Sequence, residues 1–200
     1  MTVNPIKDFP GNLTQLHHLK SLSLAQTGIR DIRADLSGFD SLEDLDLSRN
    51  QWTRVPAAIH TLPHCTWLEL QDNLLTDLSF ITAHEQHLQT LYLYSNRIDS
   101  LSSEIRHLGA LKELLIFGNR IRSIPDAIGS LTQLEKLEIW DNPIVHISPA
   151  ITKCTHLKFL QLDDDGLTRA DTAHLRAWLP NCVILYQHRG DKLTGSRLRK

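Results

Sequence analysis

A spacing of 23 residues runs through this sequence and limits the folds open to it. Segments beginning at Leu19, Leu42, Cys65, Leu88, Leu111, Leu134 and Leu157 share one template, each starting 23 residues after the last. With those residues as position 1, positions 4 and 6 read Leu22/Leu24, Leu45/Leu47, Leu68/Leu70, Leu91/Leu93, Leu114/Ile116, Leu137/Ile139 and Leu160/Leu162. Position 9 reads Thr27, Asn50, Asn73, Asn96, Asn119, Asn142 and Asp165, and position 11 is apolar in every copy. The second half often runs apolar, Pro, x, x, apolar, as in VPAAI and IPDAI. The phase extends outward to Phe9, Pro10, Leu13 and Leu16, and forward to Val183 and Leu185, which fall on positions 4 and 6 of a following copy. A unit this short cannot bury its own apolar stripe, so the units must stack and share one core.

These residues resemble the leucine-rich repeat proteins, in the 23-residue type whose second half reads LPxxLxxL. The resemblance implies an α/β solenoid. In that right-handed arc each unit lends a short strand to a parallel sheet on the concave face, then an asparagine-closed turn, then an irregular or short-helical convex return. Alternation along a strand independently sends positions 4 and 6 inward and positions 3, 5 and 7 to solvent. At position 9 the side-chain amides of Asn50, Asn73, Asn96, Asn119 and Asn142 supply both donors and acceptors to backbone groups left unpaired in a buried turn. Asp165 is expected to face inward in the same slot.

The chain divides into an N-terminal cap and half repeat at 1–18, seven repeats over 19–179, an edge strand at 180–187 and a basic tail at 188–200. The last repeat is expected to end in a capping helix: Thr168 and Asp171 are spaced as a capping box, and Leu175, Trp178 and Leu179 form an i, i+3, i+4 stripe. LRAWLPNCVI is similar to the closing helix and strand of bacterial proteins of this type, which implies a bacterial source. The tail, HRGDKLTGSRLRK, has no apolar pattern and is expected to be disordered. Unit three lacks the proline and brings Phe80 and Ile81 early, so a different convex turn is expected across Leu78 to His87.

Composition narrows the function classes. With 41% hydrophobic and 22% charged residues and a net charge of −2, the 200 residues read as one soluble globular chain, with neither nucleic acid nor membrane as partner. A signal-peptide pattern and a long apolar run are both missing, so the expected location is cytoplasmic, with secretion by a non-classical route as the alternative. Cys65, Cys154 and Cys182 lack metal spacing and are expected to be reduced and buried. Motifs for nucleotide loops, nucleophile elbows or triads are missing too. His84 and His87 of HEQH are three apart rather than four, and the run Asp163, Asp164, Asp165 reads as structural. No catalytic residue, metal or cofactor is expected, and a metal-dependent hydrolase is the remote alternative.

The free positions carry the functional signal. Row 7 reads Ala25, Ser48, Gln71, Tyr94, Phe117, Trp140 and Asp163, and row 5 reads Ser23, Asp46, Glu69, Tyr92, Leu115, Glu138 and Gln161. Strands about 4.8 Å apart would align Tyr94, Phe117 and Trp140 as one ladder, with Tyr92 and Leu115 beside it and Trp67 on row 3. Together these make an apolar patch on the order of 400 to 500 Å². Positions 2, 3, 5, 7 and 8 of the seven units carry eleven acids against five bases, a face of about −6 on a chain of −2. Asp44, Asp46 and Glu69 beside Trp67 suit a basic side chain of a partner. The expectation is a non-catalytic module, an inhibitor, adaptor or effector, that binds a protein or peptide with basic and apolar groups through Tyr92, Tyr94, Leu115, Phe117, Trp140, Trp67, Asp44, Asp46, Glu69 and Glu138. The alternative is a structural or self-associating subunit using the same patch, so the chain is expected to be a monomer or a weak homo-oligomer.

Overall fold

The computed structural model describes residues 6 and 8–187; the tail at 188–200 lies outside them. Ten strands appear in chain order: β1 (Ser21–Ser23), β2 (Asp44–Asp46), β3 (Trp67–Glu69), β4 (Thr90–Tyr92), β5 (Glu113–Leu115), β6 (Ser123–Ile124), β7 (Lys136–Glu138), β8 (His146–Ile147), β9 (Phe159–Asp163) and β10 (Val183–Gln187). Eight of them form one parallel sheet in the order β1-β2-β3-β4-β5-β7-β9-β10, while β6 and β8 pair separately on the return side. Register follows the template: Leu22, Leu45, Leu68, Leu91, Leu114, Leu137 and Leu160 sit side by side. Six of these leucines are buried and Leu22, on the first strand, is half-buried. The second inward residues, from Leu24 to Leu162, are buried as well, and Ile29, Ile98 and Ile121 at position 11 close the layer.

The return side is built of 3-10 turns. They cover Gly11–Gln15, Ala57–Thr61, Ser103–His107, Asp126–Ser130 and Pro149–Lys153, all at the same template positions. Pro56 and Pro125 stand immediately before two of them at φ −60° and −81°, values that the pyrrolidine ring already imposes. In unit three the turn, Ala83–His87, comes three residues later in the template. Phe80 and Ile81 fill the core ahead of it, and Thr82 with Glu85 forms a capping box that starts it. The array closes on one α-helix, α1 (Arg169–Trp178), capped by Thr168 and Asp171 and burying Leu175 and Leu179. Gly166 leads into it where a Cβ would come 2.2 Å from the carbonyl oxygen of Ile144, so only glycine fits that approach.

Three expectations are corrected by the structure. β10 is displaced by one residue: Ile184 aligns with Leu160 and Tyr186 with Leu162, so these two face the core while Val183 and Leu185 are 57% and 46% exposed. The helical segment takes one residue more than a 3-10 return, and because side chains alternate, a shift of one exchanges every inward and outward residue. Second, Asp165 is exposed and does not take the inward slot. Asp163 does instead: β9 continues through it, it is buried, and its Oδ2 accepts from the Asn142 amide at 3.2 Å. Third, the outward rows are less open than alternation implies, since Ser48, Gln71 and Thr90 are buried beneath their neighbours.

Candidate functional site

Asparagine fixes the floor of the sheet face. In Asn119, Nδ2 donates to the carbonyls of Leu93, Ile116 and Phe117 at 3.0, 3.0 and 3.2 Å, while Oδ1 accepts from the Ile98 amide at 2.9 Å. Asn50, Asn73, Asn96 and Asn142 repeat the triple donation. Position 8, which precedes each of these asparagines and Thr27 in unit one, takes the left-handed backbone: Gln26, Arg49, Asp72, Ser95, Gly118 and Asp141 have φ between 52° and 65°. Only Gly118 adopts that region without a side-chain penalty. Nothing in the residue types at this position announces the conformation.

That floor holds the aromatic residues. The carbonyl of Tyr94 accepts from the Asp72 amide and from Asn96 Nδ2, that of Phe117 from Ser95 and Asn119, and that of Trp140 from Gly118 and Asn142. Above it, Tyr94 and Phe117 stack with ring centroids 4.5 Å apart and planes 5° off parallel, and Phe117 and Trp140 stack at 4.3 Å and 9°. Tyr92 leans on Tyr94 at 6.3 Å, and Trp67 meets Tyr92 edge to face at 5.4 Å. Stacking covers most ring faces, so Tyr94, Phe117 and Trp140 are only half-buried and present mainly their edges. Leu115 lies next to Tyr92 in register. Burial pushes the Tyr92 hydroxyl up to about 12, helped by Glu113 and Glu69, and raises Tyr94 as well, so both stay neutral donors at physiological pH.

The acidic residues stand on the flank of this ladder. Asp46 accepts from Ser23 Oγ and from the Ser48 amide, both at 2.9 Å. Glu69 accepts from Trp67 Nε1 at 3.1 Å and from Gln71 Nε2 at 2.7 Å, which fixes the indole beside the carboxylate. Among the described residues no basic side chain pairs with Asp44, Asp46 or Glu69, whereas Glu138 is held by Lys136 at 2.9 Å. The sheet thus brings all ten predicted binding residues onto one face, an aromatic ladder with an acidic flank, where Glu138, beside Leu115 in register, is partly neutralised by Lys136. Val183 and Leu185 are additions to the same face that only the shifted register of β10 reveals.

Other candidate chemistry is absent or structural. No group of three or more His, Cys, Asp or Glu among the described residues is placed to hold a metal. Glu85 is buried, with Oε1 2.6 Å from His60 Nδ1, and His84 packs against His60 with ring centroids 5.7 Å apart. The three cysteines are free, and burial raises the thiol of Cys65 to about 12 and those of Cys154 and Cys182 to about 11. No helix among the described residues is long and apolar enough to cross a membrane.

The leucine rich repeat family profile matches residues 17–75 and 63–121. No curated protein sequence matches the chain. Among solved structures it is similar to a leucine-rich repeat protein of Leptospira interrogans, with 25% identity and a TM-score of 0.74 over 93% of this chain and 53% of that one. Internalin C2 of Listeria monocytogenes is 27% identical with a TM-score of 0.69, over 85% of this chain and 71% of its own. Another internalin of that organism shares the fold at 21% identity and a TM-score of 0.68, over 90% and 58%. The chain therefore spans little more than half the length of the Leptospira protein. Domains of this kind are commonly protein-interaction modules and generally non-catalytic. With matched stretches running together from 17 to 121, over half of its length, the chain belongs to the leucine-rich repeat family.

Proposed function

We propose that this protein is a non-catalytic recognition module that grips a protein or peptide on its concave sheet face. The observation that carries the reading is the stack of Tyr94, Phe117 and Trp140 on a hydrogen-bonded floor, confined to units four to six. Units one and two place Ala25, Ser23, Ser48 and Asp46 at the same positions, so the aromatics are not a requirement of the fold. Aromatic anchors on a fixed backbone lose little freedom on binding, and such residues dominate interface energetics. The open carboxylates of Asp44, Asp46 and Glu69 add orientation and association rate toward a basic partner.

The test compares proteins captured from cell extract by the intact chain with those captured by Phe117→Ala and Trp140→Ala. A partner bound through the ladder loses at least about tenfold in affinity with either change, in the range of an interface hot spot. Unchanged affinity in both, with folding intact by circular dichroism, rejects the site. One observation favours self-association as a second reading: β10 is the last strand in the sheet order among the described residues and carries two exposed apolar residues, Val183 and Leu185. Sedimentation at micromolar concentration decides it, and a monomer excludes it.

A further inference from the structure

We propose that a cleft on the turn side of units one and two is a second binding site, for a polar ligand that carries several sulfate or phosphate groups. It goes beyond the concave-face reading and uses none of that face's binding residues. The cleft has a cause in the sequence. In units three, four and five the amide at position 10 donates to the position 11 carbonyl of the unit before: Leu74 to Trp52, Arg97 to Leu75 and Arg120 to Ile98, each at 2.8 Å. Unit two makes no such bond. Its position 11 is Trp52, the one ring in that slot, and the indole Nε1 donates to the Ile29 carbonyl, the acceptor that the Gln51 amide would otherwise take. Gln51 turns away at φ 61° and is, among the described residues, the one non-glycine in the left-handed region outside position 8. That conformation is costly for any residue with a Cβ. Gly28 holds the same place in unit one at φ 76°, where a Cβ would meet nothing within 4 Å. Among the described residues no backbone-to-backbone bond joins units one and two after Gln26, and a cleft of about 1300 Å³ opens there.

Its lining sets the chemistry of the ligand. Arg30, Arg49 and Arg54 line it, with Gln26, Gln51 and Thr53 as neutral hydrogen-bonding neighbours. The acids nearby are taken: Asp31 pairs with Arg33 at 2.9 Å and Asp72 with Arg49 at 3.2 Å. Asp77, in the next unit, accepts from the Ser79 amide at 2.9 Å and from the Thr76 hydroxyl at 3.2 Å. Among the described residues no acid forms an ion pair with Arg30 or Arg54, and both are exposed. A guanidinium presents a rigid fork of donors that matches two oxygens of a sulfate or phosphate, and such charge-assisted bonds are about twice as strong as neutral ones. The indole of Trp52 is buried and its N–H is engaged, so it offers no ring face on which a base could stack. The volume exceeds the roughly 300 to 1,000 Å³ of ordinary small-molecule pockets, so the ligand is larger than a free inorganic anion. The acidic concave face repels the same ligand.

Isothermal titration of the full chain at physiological ionic strength, with inositol hexakisphosphate and with a heparin-derived tetrasaccharide, tests this and separates phosphate from sulfate as the source of the charge. Saturable binding of at least one probe is expected, and no binding of either at millimolar concentration overturns the proposal. Arg30→Gln with Arg54→Gln is expected to weaken binding at least about tenfold, as the loss of charge-assisted bonds at two exposed side chains implies. Trp52→Leu puts at position 11 the residue type that unit three carries at Leu75, and keeps all three arginines. It is expected to let the Gln51 amide take the Ile29 carbonyl, close the cleft and weaken binding as well. A cloud of positive charge would not register that change, so unaltered affinity in Trp52→Leu, with folding verified by circular dichroism, overturns the proposal. Should Trp52→Leu fail to fold, the exposed arginine pair decides the matter, since unchanged affinity there overturns it equally. Arg197→Glu with Arg199→Glu removes the competing basic residues of 188–200 and is expected to leave binding unchanged. Binding lost in that variant but kept in Arg30→Gln with Arg54→Gln would move the site off the cleft and overturn the proposal.

Discussion

At the scale of single residues, one side-chain type decides whether the turns close. Asn119 satisfies three buried carbonyls and one buried amide, so Asn119→Ala leaves several of them without partners. A cost of about 3 kcal/mol is expected by urea denaturation, since each orphaned buried group costs about 1 to 3 kcal/mol and relaxation recovers part. Asp163 gives a prediction of opposite sign. Burial raises its pKa above the ordinary 3.8, Asp141 and Asp165 add to that, and backbone amides of Asn142 and Asp141 oppose it. A carboxyl raised in the folded state contributes stability that is complete below its ordinary value and is lost as pH rises through the folded one. Asp163→Asn keeps the acceptor without the charge, so it is expected to be the more stable protein at pH 7, by about 1 kcal/mol. The gain should vanish in thermal melts carried out below the ordinary carboxylate range. The five asparagines were legible because their slot repeats; the exchange of Asp165 for Asp163 was not, because α1 replaces the 3-10 return after that turn and the template no longer marks where it closes.

At the scale of elements, the return side shows how far a template can be bent. The 3-10 turn of unit three starts three residues late, held by Glu85, whose Oε2 accepts from the Thr82 amide and hydroxyl at 2.6 and 2.9 Å. Glu85→Ala removes that cap and also leaves His60 without its buried acceptor. A loss of about 2 to 3 kcal/mol is expected by chemical denaturation, combining a cap of about 1 kcal/mol with a charge-assisted bond. The missing proline and early Phe80 and Ile81 made a departure legible here, but its size was not, since a displaced turn and an irregular loop bury the same apolar residues. β10 was misread for a related reason. A helix and a 3-10 turn consume different numbers of residues over the same distance, so a count of 23 stops predicting which side chains face inward once α1 replaces the turn.

At the scale of the whole molecule, stability passes from neighbour to neighbour, because each unit touches mainly the units beside it. The ends therefore control the order of unfolding. Leu175 is fully buried under α1, and Leu175→Ala is expected to cost about 3 kcal/mol. Hydrogen exchange should then show protection failing first in β9 and β10, while β2 to β5 keep theirs; uniform loss along the sheet would contradict this stepwise behaviour. The aromatic ladder was legible from the period alone, because parallel register converts a spacing in sequence into adjacency in space. Its half-burial was not legible, since that depends on rings lying 4.3 to 4.5 Å apart and shielding one another. The bonded carbonyls beneath Tyr94, Phe117 and Trp140 have a practical consequence for engineering. The backbone there is held by asparagines and by neighbouring amides, none of which depends on what the outward side chains are. Frame and face are separately editable: serines in those three places, as unit two already carries at Ser48, would yield a blank scaffold onto which other chemistries can be written.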